Sequence, residues 1–306
     1  MSKKFFLSTV VFAAGTALLL SGCVNNSGPE TPAASTPPSS QAPAADGVDA
    51  AAAALLPARI KDAGKLVIGI DPTYPPNESK DDAGNPIGWE VELGEALTAK
   101  LGLDLEWKIS SFENIIPSVN AGTMDLGLSS FTDNIKREEQ VDFVNYYFAG
   151  TLWASPAGKA VDPDDACGLI VAVQATTRQE TDELPAKSEA CTKAGKKPID
   201  ILKFASQEEA TSALVLGRAD AMTAAGPVVG YAVTQTGGKL QVDGQAFDAS
   251  PYGIVVSKKE TELSKATQAA LQSMVDDGSY MKILDKWGQS AGAVQEITIN
   301  AASKGK

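Results

Sequence analysis

From Lys65 onward, short apolar runs alternate with segments of helical period, and this alternation constrains the fold more than any other feature. "KLVIGID" (65–71) is a continuous apolar run, as expected of a strand buried on both faces. In "EVELGEALTAKLG" (90–102), Leu93, Leu97 and Leu101 recur every four residues on one helical face, and Gly102 stops the helix. "DLEWKI" (104–109) alternates as a half-buried strand does. "SSFENIIPSVNAG" (110–122) spaces Phe112, Ile115, Ile116 and Val119 for a helix behind a Ser110-x-x-Glu113 capping box. "MDLGLSS" (124–130) is the next buried strand. The unit is βαβαβ, which implies a mostly parallel sheet with helices on its faces.

A second unit follows. "GLIVAVQATTRQETDEL" (168–184) reads as strand, turn and helix start. "IDILKFASQEEATSALVLGRADAMTAA" (199–225) reads as strand, helix and strand, with a Ser206-x-x-Glu209 box and Gly217 at the C-terminal cap. "YGIVVSK" (252–258) is a late strand, and "TELSKATQAALQSMVDDGSYMKILDKWG" (261–288) holds one long and one short helix broken at Gly278. Because these come after the second unit is complete, they are expected to pack back onto the first. Two lobes joined by crossovers near Ser155 and Ser250 result.

The amino terminus reads as a targeting segment. Lys3 and Lys4 precede the apolar stretch "FFLSTVVFAAGTALLL" (5–20), which runs straight into "LSGC" (20–23). The ending resembles the lipobox of bacterial lipoproteins, with Cys23 as the lipidated residue. An ordinary secretory peptide or a short anchor is the alternative, although the apolar stretch is short for a membrane span. The Pro-, Ala- and Ser-rich segment after Cys23 carries no Lys or Arg up to Pro57 and reads as a flexible tether. Two cysteines remain, Cys167 and Cys191. An even pair in an exported chain reads as a disulfide, against two free buried thiols. The expected organisation is a leader over 1–22, a linker over 23–57, a first lobe from 58–154 and 251–298, a second lobe over 155–250, and a tail over 299–306.

Histidine is absent, which removes the Ser-His-Asp triad, the commonest general base and most zinc chemistry. The net charge of −12, without a cluster of basic residues, argues against nucleic acid. Neither a cofactor nor a metal is expected.

The stretch "LGLSSFTDNIKREEQVDF" (126–143) ends an apolar run in Ser129, Ser130 and Thr132 and places Arg137 close behind. "VQATTRQE" (173–180) takes a strand into a Thr177-x-x-Glu180 box, a helix start suited to an anion. A carboxylate held between two lobes needs a planar bidentate donor on one side and hydroxyl or N–H donors on the other. Arg137, Ser130 and Thr132 fit one wall and Thr177 the other. Against this stand a solvated arginine and a box that only caps.

The segments 66–79, 84–97, 112–143, 173–180, 213–221 and 252–259 together resemble the polar amino-acid-binding proteins of ABC importers, bacterial solute-binding protein family three. The resemblance implies an α/β, two-lobed periplasmic-binding-protein-like fold, each lobe a mostly parallel sheet with flanking helices, with two hinge crossovers. It also implies a non-enzymatic monomer outside the cytoplasm that closes on an amino acid or related small carboxylate and docks to an ABC permease. Carried over by position, Tyr74 and Phe112 would sandwich the ligand side chain and Asp71 would touch a polar tail. Ser129, Ser130, Thr132 and Arg137 would surround the α-carboxylate, with Thr177 donating from the second lobe. Two positions depart from the family pattern: Ala225 stands where an acid usually holds the α-ammonium, and Asn77 where an aromatic is usual. Either the ligand lacks a free α-amine or another acid substitutes, with Asp71 the first choice and Glu78 and Asp133 further candidates. A dehydratase on the same scaffold, or a sensor partner of a membrane receptor, are the competing functions.

Overall fold

The structure, a computed structural model, describes residues 47–304. The leader, Cys23 and the tether up to residue 46 lie outside the described residues. Folded structure begins before the expected lobe boundary at residue 58. The Asp49 carboxylate accepts from the N–H groups of Ala51 and Ala52 and caps helix α1 (Ala50–Ala54). Ala52 and Leu56 are buried, and Asp49 N donates to Lys100 O. The alanine run thus belongs to the fold, since a capped run of the best helix former needs little apolar surface to dock. Helix α2 (Ala58–Ala63) follows, closed by Gly64.

The first βαβαβ unit is present. Strand β1 (Lys65–Ile70) leads through a small hairpin, β2 (Ser79–Lys80) and β3 (Pro86–Ile87), into α3 (Trp89–Lys100). Then come β4 (Asp104–Ile109), α4 (Phe112–Asn120), β5 (Leu126–Gly127) and the short α5 (Ile135–Glu138). β4 and β5 flank β1 in parallel, with Lys65 opposite Asp104 and Ile68 opposite Leu126. The expected Ser110 box does not form. Ser111 is the N-cap of α4 and its side chain makes no capping bond; the Asp71 carboxylate accepts from Phe112 N instead.

Strand β6 (Val141–Pro156) crosses into the second unit, built of β7 (Ile170–Gln174), a π-helical turn at Gln179–Glu183, α6 (Leu184–Lys193) and β8 (Asp200–Phe204). It continues through α7 (Gln207–Val215), β9 (Ala221–Ala225) and α8 (Gly226–Gln235). β8 and β9 flank β7 in parallel, and both halves of the Ser206–Glu209 capping box are made. Cys167 and Cys191 are bonded, with Cα atoms 5.5 Å apart, tying the loop before β7 to α6.

The return strand β10 (Leu240–Ser257) pairs antiparallel with β6 along nearly its whole length, so one sheet runs through both lobes in the order β4-β1-β5-β10-β6-β9-β7-β8. Its register breaks between Asp243 and Phe247, between Phe247 and Ser250, and between Tyr252 and Gly253. Bulges of this kind bend and twist a ribbon, and they put the crossing opposite Ala149–Thr151. Ser250 borders one of these breaks, and Ser155 is buried and paired with Gln241 in the same ribbon. Helices α9 (Thr261–Asp276) and α10 (Ser279–Lys286), separated by left-handed Gly278, pack back on α3 of the first lobe. The expected tail 299–306 is partly structured: β11 (Thr298–Ile299) pairs with β6 and α11 (Ala301–Lys304) follows.

Candidate functional site

The parallel strands β1, β5, β7 and β9 all end at the cleft, as open α/β sheets present their ligand crevice. These ends line one cavity. Asp71, Tyr74, Glu78, Phe112, Ser129, Ser130, Thr132, Arg137 and Thr177 all lie on its lining. Asp133 does not line it. Its carboxylate accepts from Asn145 Nδ2 at 3.0 Å and from Ala302 N at 3.3 Å, facing the C-terminal segment. It is thereby removed as an amine partner.

Arg137 rides on α5, whose cap Asn134 accepts from Arg137 N. Its guanidinium spans the cleft, donating to Thr132 O at 2.8 Å in the first lobe and Thr176 O at 2.9 Å in the second. It also lies 5.6 and 5.8 Å from the ring centroids of Phe112 and Phe131, which stack on each other. Burial pushes its pKa down to about 10, so it stays charged at neutral pH. A guanidinium has five N–H donors and two serve these carbonyls, which leaves donors for a carboxylate. Ser130 (φ 51°) and Thr176 (φ 62°) both adopt left-handed backbone, uncommon outside glycine, and mark the two walls.

Thr177 Oγ1 donates to Gln174 O at 2.8 Å. Of the expected Thr177–Glu180 box one half is made, with Thr177 Oγ1 accepting from Glu180 N at 3.4 Å, while the Glu180 carboxylate accepts from Thr176 N rather than Thr177 N. The left-handed turn at Thr176 and the π-helical turn that follows carry the Thr176 N–H to Glu180.

Ser129 and Ser130 spend their hydroxyls on buried acids. Ser129 Oγ donates to Glu78 at 2.8 Å, and Ser130 donates to Glu90 through both N and Oγ at 2.9 Å. Glu90 also accepts from Tyr146 Oη at 2.6 Å. Burial and the adjacent Glu90 hold the Glu78 pKa well above the carboxylate range; Glu90 is raised too, by burial, against the pull of its donors. Burial and mutual repulsion thus disfavour ionisation of both acids at once. Asn77 supports the pair from behind, donating to Ser130 Oγ and accepting from Trp89 Nε1. The departure at Asn77 is thus a buried bridge, and Asn77 is absent from the lining.

Asp71 accepts from Thr73 Oγ1, Phe112 N and, across the cleft, Gln174 Nε2 at 2.9 Å. Burial raises its pKa. Tyr74 Oη accepts from Ala225 N at 3.1 Å, a further bond between the lobes. Gln174, Thr151, Gln179 and Tyr252 join the lining without having been singled out from sequence. Gln174 stood in the quoted "VQATTRQE", one residue past the apolar run, and its polar end was the available signal.

A cleft at the ends of parallel strands from two linked units, with the Arg137 guanidinium bridging it, is the arrangement of a two-lobed ligand-binding protein. The model of the bacterial extracellular solute-binding proteins, family 3, matches residues 66–290, and the chain belongs to that family. The chain is 41% identical over 249 residues to the arginine-binding protein ArgT of Corynebacterium glutamicum, covering 81% of this chain and 82% of that one. It is 31% identical to the L-arginine-binding protein of Pseudomonas aeruginosa, with 72% and 86% covered. Among solved structures, an ancestral arginine-binding protein bound to arginine superposes with a TM-score of 0.67 at 32% identity, over 73% of this chain and 98% of that one. An ancestral amino acid-binding protein, a precursor of cyclohexadienyl dehydratase, gives 0.65 at 30% identity, over 75% and 97%.

Proposed function

We propose that the protein captures a cationic amino acid, L-arginine first among them, and delivers it to an ABC permease from an extracytoplasmic position anchored through lipid on Cys23. One observation carries the ligand class: the lining of the cavity that holds Arg137 includes two acidic residues, Asp71 and Glu78. The α-carboxylate sits on Arg137 with Thr132 and Thr177 beside it. The alkyl stem passes Tyr74 and Phe112, and the cationic tail reaches Asp71. Relatives that carry arginine in their names support the choice. Binding is favoured over catalysis because the relatives at 41% and 31% identity are named as binding proteins.

Calorimetry with L-arginine and L-citrulline, its neutral isostere, tests the reading. Losing a hydrogen-bonded charge costs about 1.5–3 kcal/mol, so arginine should bind ~10- to 100-fold more tightly. Equal affinities overturn the cationic tail, and no binding by any amino acid overturns the function. Arg137→Ala should lose about 2–5 kcal/mol of affinity, because the ligand carboxylate then has no counter-charge in a closed cleft.

A further inference from the structure

The cavity's second-lobe wall carries no acid: its side chains there are Gln174, Thr177, Arg178, Gln179 and Ala225. Ala225 presents a methyl group, and its N–H is already given to Tyr74. An α-ammonium closed into this cleft without a carboxylate would lose its hydration uncompensated. Its place is set by the carboxylate, one carbon away, and so lies beside Arg137 and Thr132.

Tyr252 is the side chain at that point. It lies opposite Thr132 in a β-bridge, hence about 5 Å away along the sheet. It lines the cavity, is only 3% exposed, and its hydroxyl is buried without a hydrogen-bond partner. Buried hydroxyls are almost always paired, so this one points to a ligand group. Of the two acids on the lining, Asp71 is the one assigned to the cationic tail. Glu78 accepts from Ser129 at 2.8 Å, while the one hydroxyl proton of Ser130 goes to Glu90, so Glu78 has room for another donor.

We propose that Glu78 and the Tyr252 hydroxyl hold the ligand's α-ammonium, so that the amine is recognised wholly by the first lobe and its capture expels one proton from the Glu78–Glu90 pair. The inference rests on the reading of the cavity as an amino-acid site. The groups facing Glu78 are Glu90 from α3, Tyr146 from β6, Tyr252 from β10, Asp71 at the end of β1 and Tyr74 in its own turn; the lining's cations are Arg137 and Arg178. In the free protein, burial and the adjacent Glu90 favour the protonated form of Glu78. An ammonium beside it favours the carboxylate, and the proton leaves to solvent. Affinity therefore rises with pH, up to ~tenfold per unit for a one-proton linkage.

The test is calorimetry of the whole chain at pH 7 in two buffers of different ionisation enthalpy, with L-arginine and with 5-guanidinopentanoate, which lacks only the α-amine. About one proton should be released with arginine and none with the analogue, and arginine should bind at least ~30-fold more tightly. In Glu78→Gln that ratio should fall to within ~threefold and the proton release should vanish; Tyr252→Phe should lower the ratio by ~fivefold. No proton release in the native chain, a ratio near one there, or a ratio kept by both variants overturns the amine site. If Glu78→Gln does not fold, the native proton count and Tyr252→Phe still decide. Failure of arginine itself to bind would instead strike the proposed function.

Discussion

At Gly88 the backbone turns to φ 139°, where L side chains are rare, and an added Cβ would overlap the Asn77 carbonyl. This close approach lets α3 start directly against the Asn77–Glu78 turn, with Glu90 N donating to Asn77 O. Glu90 is thereby delivered to Ser130 and Glu78. Local steps of this size build the acidic side of the cavity, and none has a sequence signature of its own. A second buried acid behaves differently. Asp133 is pushed up to about 6 by burial first and by Glu138 beside it. A folded-state pKa above the ordinary ~3.9 means that its contribution to stability is whole below about pH 4 and is lost as pH rises through 6. Asp133→Asn keeps an acceptor for Asn145 and Ala302 N without the charge. It should stabilise the protein at pH 7.5 by ~1 kcal/mol after solvent screening, or about 2–4 °C, with little gain at pH 4.5. Thermal unfolding at the two pH values checks this, and an equal shift at both would refute the charge argument.

Elements with one dominant period were readable in advance: β1, α3, β4 and β7 follow from apolar runs or four-residue spacing. The long pair β6 and β10 was readable only at the end of β10, in "YGIVVSK" (252–258). Its residues alternate between core and cleft and then change lobes, so no single burial pattern runs along them; β6 carries the exposed Phe148 between buried Tyr147 and Thr151. Helix α4 shows a similar limit, because its cap comes from Asp71, forty-one residues away, rather than from the adjacent serines. Arg137 and Thr177 stood out because a hydroxyl-rich strand end and a helix start are local motifs. Tyr252 and Glu90 gain their meaning only from neighbours across the sheet. The disulfide sits at this scale as well. Cysteines 24 positions apart close a loop whose constraint is worth about 3 kcal/mol in the chain-entropy estimate. The double variant Cys167→Ser/Cys191→Ser should lose most of that in urea unfolding and still bind ligand, since neither residue lines the cleft cavity. Unchanged stability would mean that the unfolded chain is already compact around this loop.

Among the described residues, three bonds join the lobes across the cavity: Arg137 to Thr176 O, Gln174 to Asp71, and Ala225 N to Tyr74. All use protein groups alone, so closure has a free energy of its own that a ligand adds to. Apparent affinity scales with the fraction of molecules already competent to bind. Gln174 offers the cleanest probe, since its amide reaches the Asp71 carboxyl and makes no bond to Arg137. Removing a hydrogen bond to such a group shifts the open–closed balance by about 1.5 kcal/mol. Gln174→Ala should therefore enlarge the unliganded radius of gyration seen by solution scattering, leave the liganded one close to native, and weaken arginine binding ~tenfold. Unchanged scattering with unchanged affinity would show that Gln174 does not hold the lobes together. Tighter binding would show that it competes with the ligand's cation for Asp71, and the closing force would then rest on Arg137 and Tyr74.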